Sequence, residues 1–207
     1  MSLNLDLDGI KAVIFDLDGT LYNKSRLPLH LICSDLRHMF VLGNERKARA
    51  ELKGRFFGDE QAYYDALYAR VAELSHITKA MAKRWYEQGY MPSMQKVLRR
   101  KYRIEPWVEG LLADLRKQGL KLAVYSDYGC LDERLEALGF DRRWVDITVD
   151  APSLGGLKPC KQSGDKICQM LGVLPAEILM VGDRDDTDGE TARRCGMRFM
   201  LVDLKQL

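Results

Sequence analysis

The spacing of apolar residues changes twice along this chain. An apolar, β-branched run, Val13-Ile14-Phe15, predicts a strand that is buried on both faces. Residues 22–105 instead place apolar residues three and four positions apart, which is the spacing of amphipathic helices. From residue 106 onward, helical segments alternate with short apolar runs. The pattern therefore predicts one early strand, a helical block, and then a series of alternating helices and strands.

The helical block contains four predicted helices. They span residues 27–42, 59–74, 78–87 and 91–102, with breaks expected at Gly43-Asn44, Gly58-Asp59 and Gly89-Tyr90-Met91-Pro92. Helices inserted between two strands of one sheet do not easily form layers of that sheet. We therefore predict a separate helical subdomain over residues 22–105, inserted into a core made of residues 1–21 and 106–207.

The second half of the chain predicts a parallel sheet. Strands over residues 120–125, 146–149, 177–181 and 198–202 alternate with helices over 107–118, 131–138, about 166–171 and about 189–195. Thr187 and Glu190 have the spacing of a capping box for the last helix. Strands separated by helices pair in parallel through right-handed crossovers. The expected fold class is α/β, a doubly wound, mostly parallel sheet with an inserted all-helical subdomain.

Polar residues follow three of the predicted strands directly. Asp16 follows Phe15, Ser126 follows Tyr125, and Asp183 comes after the strand that ends near Val181. In open parallel sheets, ligands bind outside the carboxyl ends of the strands. The sequence therefore predicts one functional site to which three strands contribute.

Composition and charge exclude several classes of protein. The 207 residues are 46% hydrophobic and 30% charged, as in an ordinary globular protein, and the net charge of +2 is too small to indicate a nucleic-acid partner. No apolar run approaches a membrane span, and the acidic start is unlike a signal peptide, so we expect a cytoplasmic protein. Five scattered cysteines without CxxC spacing argue against disulfides and a zinc site, and favour reduced thiols: Cys33, Cys130, Cys160, Cys168 and Cys195.

The acidic residues at the predicted site favour a hard cation. Asp16, Asp18 and the segment 183–188 supply only oxygen ligands, for which Mg2+ is the preferred metal. Lys158 would add a fixed positive charge and Ser126 a hydroxyl donor, which are the groups that phosphoryl transfer requires. Each feature alone also has a structural interpretation: an acidic turn before a helix, a surface lysine, and a helix cap.

Four short segments together resemble the motifs of one enzyme superfamily. They are Asp16-Leu17-Asp18-Gly19-Thr20, Ser126, Lys158 before Pro159, and Gly182-Asp183 with Asp188. In this order, over residues 11–21 and 106–202, the chain resembles the phosphatase branch of the haloacid dehalogenase superfamily, with an inserted helical cap of the C1 type. The cap would be residues 22–105, with hinges near 21–25 and 102–107.

The resemblance implies a role for each residue of these segments. Asp16 would attack phosphorus to form an aspartyl phosphate, and Asp18 would protonate the leaving oxygen and later activate water. Asp16, the backbone carbonyl of Asp18 and Asp183 would hold Mg2+, and Asp188 would support the metal's surroundings. Ser126 and Lys158 would bind the phosphoryl oxygens.

The expected function is Mg2+-dependent hydrolysis of a small soluble phosphomonoester. Asp18 favours phosphatases over the superfamily's dehalogenases, in which this second carboxylate is replaced, whereas Asp127 stands where an amide is frequent. The cap holds 17 Lys and Arg against 9 Asp and Glu, which favours an anionic substrate between a basic cap and an acidic core. A phosphosugar mutase using the same residues and a catalytically silent binding module of the same fold remain alternatives.

Overall fold

A single parallel sheet forms the centre of the molecule. The computed structural model describes residues 3, 5–34 and 39–204, and within them five strands occur: β1 (Ala12–Phe15), β2 (Lys121–Ser126), β3 (Ile147–Asp150), β4 (Ile178–Gly182) and β5 (Arg198–Leu201). Their order is β3-β2-β1-β4-β5, and every pair is parallel. The predicted α/β class, a doubly wound parallel sheet with an inserted helical segment, is confirmed.

The helices follow the predicted arrangement. Within the described ranges they are α1 (Leu27–Ser34), α2 (Met39–Leu52), α3 (Glu60–Ser75), α4 (Lys79–Arg84), α5 (Met91–Lys101), α6 (Trp107–Lys117), α7 (Leu131–Leu138), α8 (Lys161–Leu171) and α9 (Glu190–Cys195). The first six lie between β1 and β2, and the first five of these form the inserted helical segment; α7, α8 and α9 each lie between two consecutive later strands. None of these helices is long and apolar enough to cross a membrane.

The central strand β1 positions the site. All four of its residues are buried, and Phe15 pairs with Val124 on one side and with Val181 on the other. This register brings the carboxyl ends of β1, β2 and β4 to one edge of the sheet. Asp16 begins the chain beyond that edge, with its N–H donating to the Val181 carbonyl at 2.9 Å.

The predicted break at Gly43-Asn44 is wrong. Both residues lie inside α2, whose buried face continues beyond them. The Asn44 side chain donates to the Leu74 carbonyl and to Ser75 Oγ, both at 3.0 Å, at the end of α3. Asn44 is therefore used for a contact between helices rather than for a turn. Residues 35–38, in the middle of the predicted helix 27–42, lie outside the described residues.

The predicted break at residues 89–92 is also wrong. A π-helical turn, Trp85–Tyr90, joins α4 to α5 without interruption. The Met91 N–H donates to the Tyr86 carbonyl, five residues back, and the wider turn accommodates Pro92 at the start of α5. The turn also stacks the rings of Trp85 and Tyr90, whose centroids are 5.2 Å apart.

The last helix lacks the predicted capping box. A π-helical turn, Asp185–Gly189, leads directly into α9, so Thr187 lies inside the helical path and not at its start. The Glu190 side chain instead pairs with Arg193 at 3.0 Å and Arg194 at 2.8 Å.

The two ends of the inserted helical segment meet beside the sheet. The Glu105 N–H donates to the Leu21 carbonyl at 2.9 Å, and the rings of Tyr22 and Tyr102 meet edge to face at 5.7 Å. His30 Nδ1 lies 2.7 Å from the Tyr102 hydroxyl oxygen.

The helical segment also contacts the loop that precedes Lys158. The Gly54 N–H donates to the Leu157 carbonyl at 3.2 Å, and the Phe57 N–H donates to the Gly155 carbonyl at 2.7 Å. A Cβ on Gly156 would lie only 2.4 Å from a backbone oxygen of the same segment. Glycine is therefore required there by close approach of two backbones.

The cysteines agree with the prediction of reduced thiols. All five are free; three are buried and two, Cys33 and Cys130, are exposed.

Candidate active site

Asp16 lies at the edge of the sheet, buried and held by a buried lysine. Its exposed fraction is 6%, and its Oδ1 accepts a hydrogen bond from Lys158 Nζ at 2.6 Å, while Thr20 Oγ1 donates to its Oδ2 at 3.3 Å. Lys158 Nζ also donates to Asp188 Oδ1 at 2.6 Å and to the Tyr125 carbonyl at 3.2 Å. One ammonium thus joins residues from three separate segments of the chain.

Three carboxylates form a group that suits a divalent cation. Asp16, Asp183 and Asp188 each have a carboxylate oxygen within 4.8 Å of the other two. Oxygen-only ligands of this kind fit Mg2+ or another hard cation. The Lys24 ammonium lies 2.6 Å from Asp183 Oδ2 and donates to the backbone carbonyl of Asp18, so a positive charge already occupies part of this acidic surface.

Burial and repulsion control the ionisation of this group. Burial raises the pKa of Asp16 to about 8, with Asp188 and Asp18 adding to the effect and Lys158 opposing it. The pKa of Asp188 is likewise raised, mainly by burial. Burial disfavours the charged form of Lys158, but the charges of Asp16 and Asp188 outweigh it and hold the Lys158 pKa well above its ordinary value. A cation among the carboxylates would favour their ionised forms.

Asp18 is bound by an arginine that the sequence analysis missed. Arg134 Nη2 lies 2.5 Å from Asp18 Oδ1 and 2.6 Å from Oδ2, and Tyr22 donates to Oδ1 at 2.5 Å. Burial opposes ionisation of Asp18, yet the Arg134 charge and these hydrogen bonds lower the Asp18 pKa to about 2. Asp18 is therefore held as a carboxylate in this arrangement.

A sequence signal for Arg134 does exist. Arg134 lies at the helical spacing that puts it on the same face of α7 as Leu131 and Leu138, and it is fully buried there. A cation on the apolar face of a helix needs a buried partner. The spacing alone does not identify Asp18, more than a hundred residues earlier, as that partner.

Ser126 and Asp127, at the end of β2, contact both the residues around Asp18 and the loop that carries Lys158. Ser126 Oγ donates to Asp18 Oδ2 at 3.2 Å and accepts from Arg134 Nη1 at 3.0 Å. Asp127 Oδ1 accepts from the Lys158 N–H at 2.8 Å. The unusual carboxylate of Asp127 therefore positions the loop that carries Lys158.

The predicted site residues are thus found in two adjoining groups. Asp16, Lys158, Asp183 and Asp188 form the first, and Asp18 with Ser126 forms the second, joined to the first through the short segment after β1. The prediction did not foresee that Asp188 contacts Lys158 directly. Lys24, like Arg134, was also missed, since a lone lysine after an Asp-Gly turn carries no distinctive pattern.

A parallel sheet with buried carboxylates and a buried lysine at the carboxyl ends of its strands is the core of an α/β enzyme. Residues 10–196 match the family of haloacid dehalogenase-like hydrolases, and the chain belongs to that family.

Relatives with known names cover most of the chain. A glyceraldehyde 3-phosphate phosphatase of Methanopyrus kandleri is 29% identical over 199 residues, which are 91% of this chain and 82% of that protein. A 2-haloacid dehalogenase of Pseudomonas syringae has a similar fold, with a TM-score of 0.64 and 18% identity over 96% of this chain and 88% of that one. A phosphatase of this superfamily from Thermococcus onnurineus aligns with a TM-score of 0.57 and 20% identity, covering 93% and 86% of the two chains. The predicted superfamily, its phosphatase branch and the assignment as an enzyme are confirmed.

Proposed function

We propose that the protein is a Mg2+-dependent phosphomonoester hydrolase acting on a small phosphorylated metabolite. The observation that carries the proposal is the buried Asp16, at the end of the central strand, with Lys158 Nζ at 2.6 Å and two further carboxylates within 4.8 Å. These are the groups needed to bind a phosphoryl group and attack it. The phosphatase relative from Methanopyrus kandleri supports the same choice of chemistry.

In the proposed reaction, an Asp16 oxygen attacks phosphorus and forms an aspartyl phosphate. The ester bond to the leaving oxygen breaks, and that oxygen takes a proton from Asp18. A water molecule then loses its proton to Asp18 and attacks the same phosphorus, which releases phosphate and restores the Asp16 carboxylate. Ser126 and Lys158 bind the phosphoryl oxygens in both steps.

The cation would be held by Asp16, Asp183 and the Asp18 carbonyl, with Asp188 supporting them. When bound, Mg2+ supplies positive charge that stabilises the phosphoryl oxygens. The position of the Lys24 ammonium, against Asp183 and the Asp18 carbonyl, supports the suitability of these atoms for a cation.

The proposed role of Asp18 requires a change of partner. In the structure both of its oxygens bind Arg134, which holds it ionised. A carboxylate with a pKa of about 2 does not carry a proton at neutral pH. Asp18 must therefore leave Arg134 and take up a proton from solvent before it can act as the acid, and the leaving oxygen of a bound substrate offers the alternative partner.

The helical segment is proposed to act as a cap over this site. The proposed boundaries are residues 22–105 for the cap and 1–21 with 106–207 for the core, with hinges at the two ends that meet near Leu21 and Glu105. A cap excludes water from the covalent intermediate and selects the leaving group. Its excess of Lys and Arg supports an anionic substrate.

Hydrolysis of an aryl phosphate such as p-nitrophenyl phosphate tests the proposal. Phosphate release should require Mg2+ and be lost in Asp16→Asn. It should be retained in Asp165→Asn, because Asp165 is a partly exposed aspartate paired with Lys161. Activity that survives Asp16→Asn would contradict the proposed nucleophile. With a sugar phosphate as the substrate, an isomeric sugar phosphate in place of free phosphate would identify a mutase. Stabilisation by Mg2+ without turnover would identify a silent binding module.

A further inference from the structure

Arg49, in α2, is a buried arginine that reaches from the helical segment to the end of β2. Its Nη2 donates to the Asp127 carbonyl at 2.5 Å, and its Nη1 donates to the Tyr63 hydroxyl at 2.9 Å. Arg49 Cζ lies 4.0 Å from the centroid of the Tyr128 ring. A buried cation needs partners of this kind, and these partners fix Arg49 to the turn that follows Ser126.

That turn contacts both of the residues proposed to bind the phosphoryl oxygens. Asp127 is adjacent to Ser126, and the Tyr128 N–H donates to Ser126 Oγ at 3.3 Å. The Asp127 side chain extends to the second residue, since its Oδ1 accepts from the Lys158 N–H at 2.8 Å. The Lys158 ammonium in turn donates to Asp16 Oδ1 at 2.6 Å. Hydrogen bonds and covalent links thus join a helix of the inserted segment to the proposed nucleophile.

The loop before Lys158 is held by the same helical segment. Gly54 and Phe57 bind the backbone of residues 155–157, and Asp127 binds the backbone of the residue that follows. The helical segment therefore reaches Lys158 by two routes, one through the loop and one through Arg49 and Asp127.

We propose that Arg49 and Asp127 are positioning residues for Lys158: Arg49 fixes the backbone of Asp127, and the Asp127 carboxylate fixes the backbone of Lys158. The inference rests on the proposed phosphatase function. In this role neither residue contacts the phosphoryl group, and each acts through the Lys158 ammonium, which must lie within hydrogen-bond distance of the phosphoryl oxygens. Because Arg49 belongs to the helical segment, the site is complete only while that segment is seated on the core.

Replacement of Asp127 tests the link to Lys158. Asp127→Ala removes the acceptor of the Lys158 N–H, so exchange of this amide, followed by NMR, should accelerate about tenfold. The kcat/KM for p-nitrophenyl phosphate should fall about tenfold or more. Asp127→Asn keeps an acceptor oxygen and should restore most of both values. The Asp16 N–H, bonded to the Val181 carbonyl, is the internal reference, because a general loss of stability would accelerate its exchange as well.

Replacement of Arg49 tests the link from the helical segment. Arg49→Met should also accelerate exchange of the Lys158 amide and lower kcat/KM, although Asp127 lies between the two residues. Glu45 is fully buried with its Oε1 3.6 Å from Arg49 Nε, so loss of the positive charge also costs stability. Arg49→Lys keeps the charge but lacks the planar fork that donates to both Tyr63 and Asp127, so it should give the same two effects in a folded protein.

Arg46→Met is the matched control, since Arg46 is an exposed arginine of the same helix, and it should leave both values unchanged. Equal acceleration at the Asp16 and Lys158 amides would show a structural role only and overturn the inference. An unchanged Lys158 amide in the Arg49 variants, or faster exchange with unaltered kcat/KM, would overturn it as well. If the unaltered protein does not hydrolyse p-nitrophenyl phosphate, the proposed function fails, whereas the exchange rates still decide whether Arg49 and Asp127 position Lys158.

Discussion

Lys24 places a positive charge against two of the groups proposed to hold the cation. It contacts Asp183 Oδ2 at 2.6 Å and the Asp18 carbonyl. Because an ammonium and a divalent cation would compete for the same oxygens and repel each other, the proposed cation would displace Lys24. We expect Lys24→Met to lower the dissociation constant for Mg2+ about tenfold, measured by titration calorimetry without substrate.

Lys53→Met is the control for a general change of charge. Lys53 Nζ lies 3.9 Å from Asp186 Oδ2, in the same acidic segment but away from the three grouped carboxylates. Lys53→Met should change the affinity for Mg2+ less than Lys24→Met does. Equal or weaker Mg2+ binding by Lys24→Met would contradict the competition.

The Glu45 carboxyl makes the stability of the folded protein depend on pH. Burial raises its pKa from 4.5 to about 7, although the charges of Arg49 and Arg46 oppose the shift. The folded state therefore keeps a proton that the unfolded chain releases, so the stability from this group is complete below pH 4.5 and is lost as pH rises to about 7.

We expect Glu45→Gln to remove this dependence. Relative to the variant, the unaltered protein should lose about 3 kcal/mol of unfolding free energy between acid and pH 8, measured by urea unfolding at several pH values. Parallel curves for the two proteins would show that the Glu45 carboxylate is stabilised in the folded state after all.

At the scale of single elements, α7 contributes one buried side chain, Arg134, to the candidate site. Arg134 binds both oxygens of Asp18, and removing one partner of a buried ion pair leaves the other uncompensated. We expect Arg134→Met to lower the unfolding free energy by about 3 kcal/mol. In the double variant with Asp18→Asn, the total loss should be smaller than the sum of the single losses.

Arg142→Met, which removes an exposed arginine paired with Asp132, should have little effect. Additive losses for Arg134→Met and Asp18→Asn in denaturant unfolding would show that the two side chains do not interact in solution.

Elements were predicted well where the signal is local. The strands follow from their apolar runs, and Asp16, Ser126 and Asp183 follow from what comes directly after those runs. The break predicted at Gly43-Asn44 is absent because the Asn44 side chain donates to the end of another helix. A rule based on neighbouring residues in the sequence does not include such a contact. Arg134 and Lys24 were missed for a similar reason, since each contacts the site through a partner that is distant in the sequence or has no distinctive pattern.

At the scale of the whole molecule, the helical segment is joined to the loop of Lys158 as well as to the sheet. Gly156 permits this contact, because a Cβ there would lie 2.4 Å from the Arg55 carbonyl oxygen. We expect Gly156→Ala to push the two backbones apart. The kcat/KM for an aryl phosphate should fall about tenfold, and the Gly54 and Phe57 amides should exchange hydrogen faster.

Gly43→Ala provides the control, since a Cβ on Gly43, within α2, would meet nothing within 4 Å. It should leave activity unchanged and stabilise the helix slightly. Unchanged amide exchange in Gly156→Ala would show that the contact adjusts without separation.

The hydrogen bond between Glu105 and Leu21 means that the helical segment leaves the sheet and returns to it at one point. The strands on either side of the insertion, β1 and β2, are neighbours in the sheet, so a short linker could join them directly. Over evolutionary time, a lineage could therefore exchange the whole insert while inheriting the sheet and Asp16 unaltered.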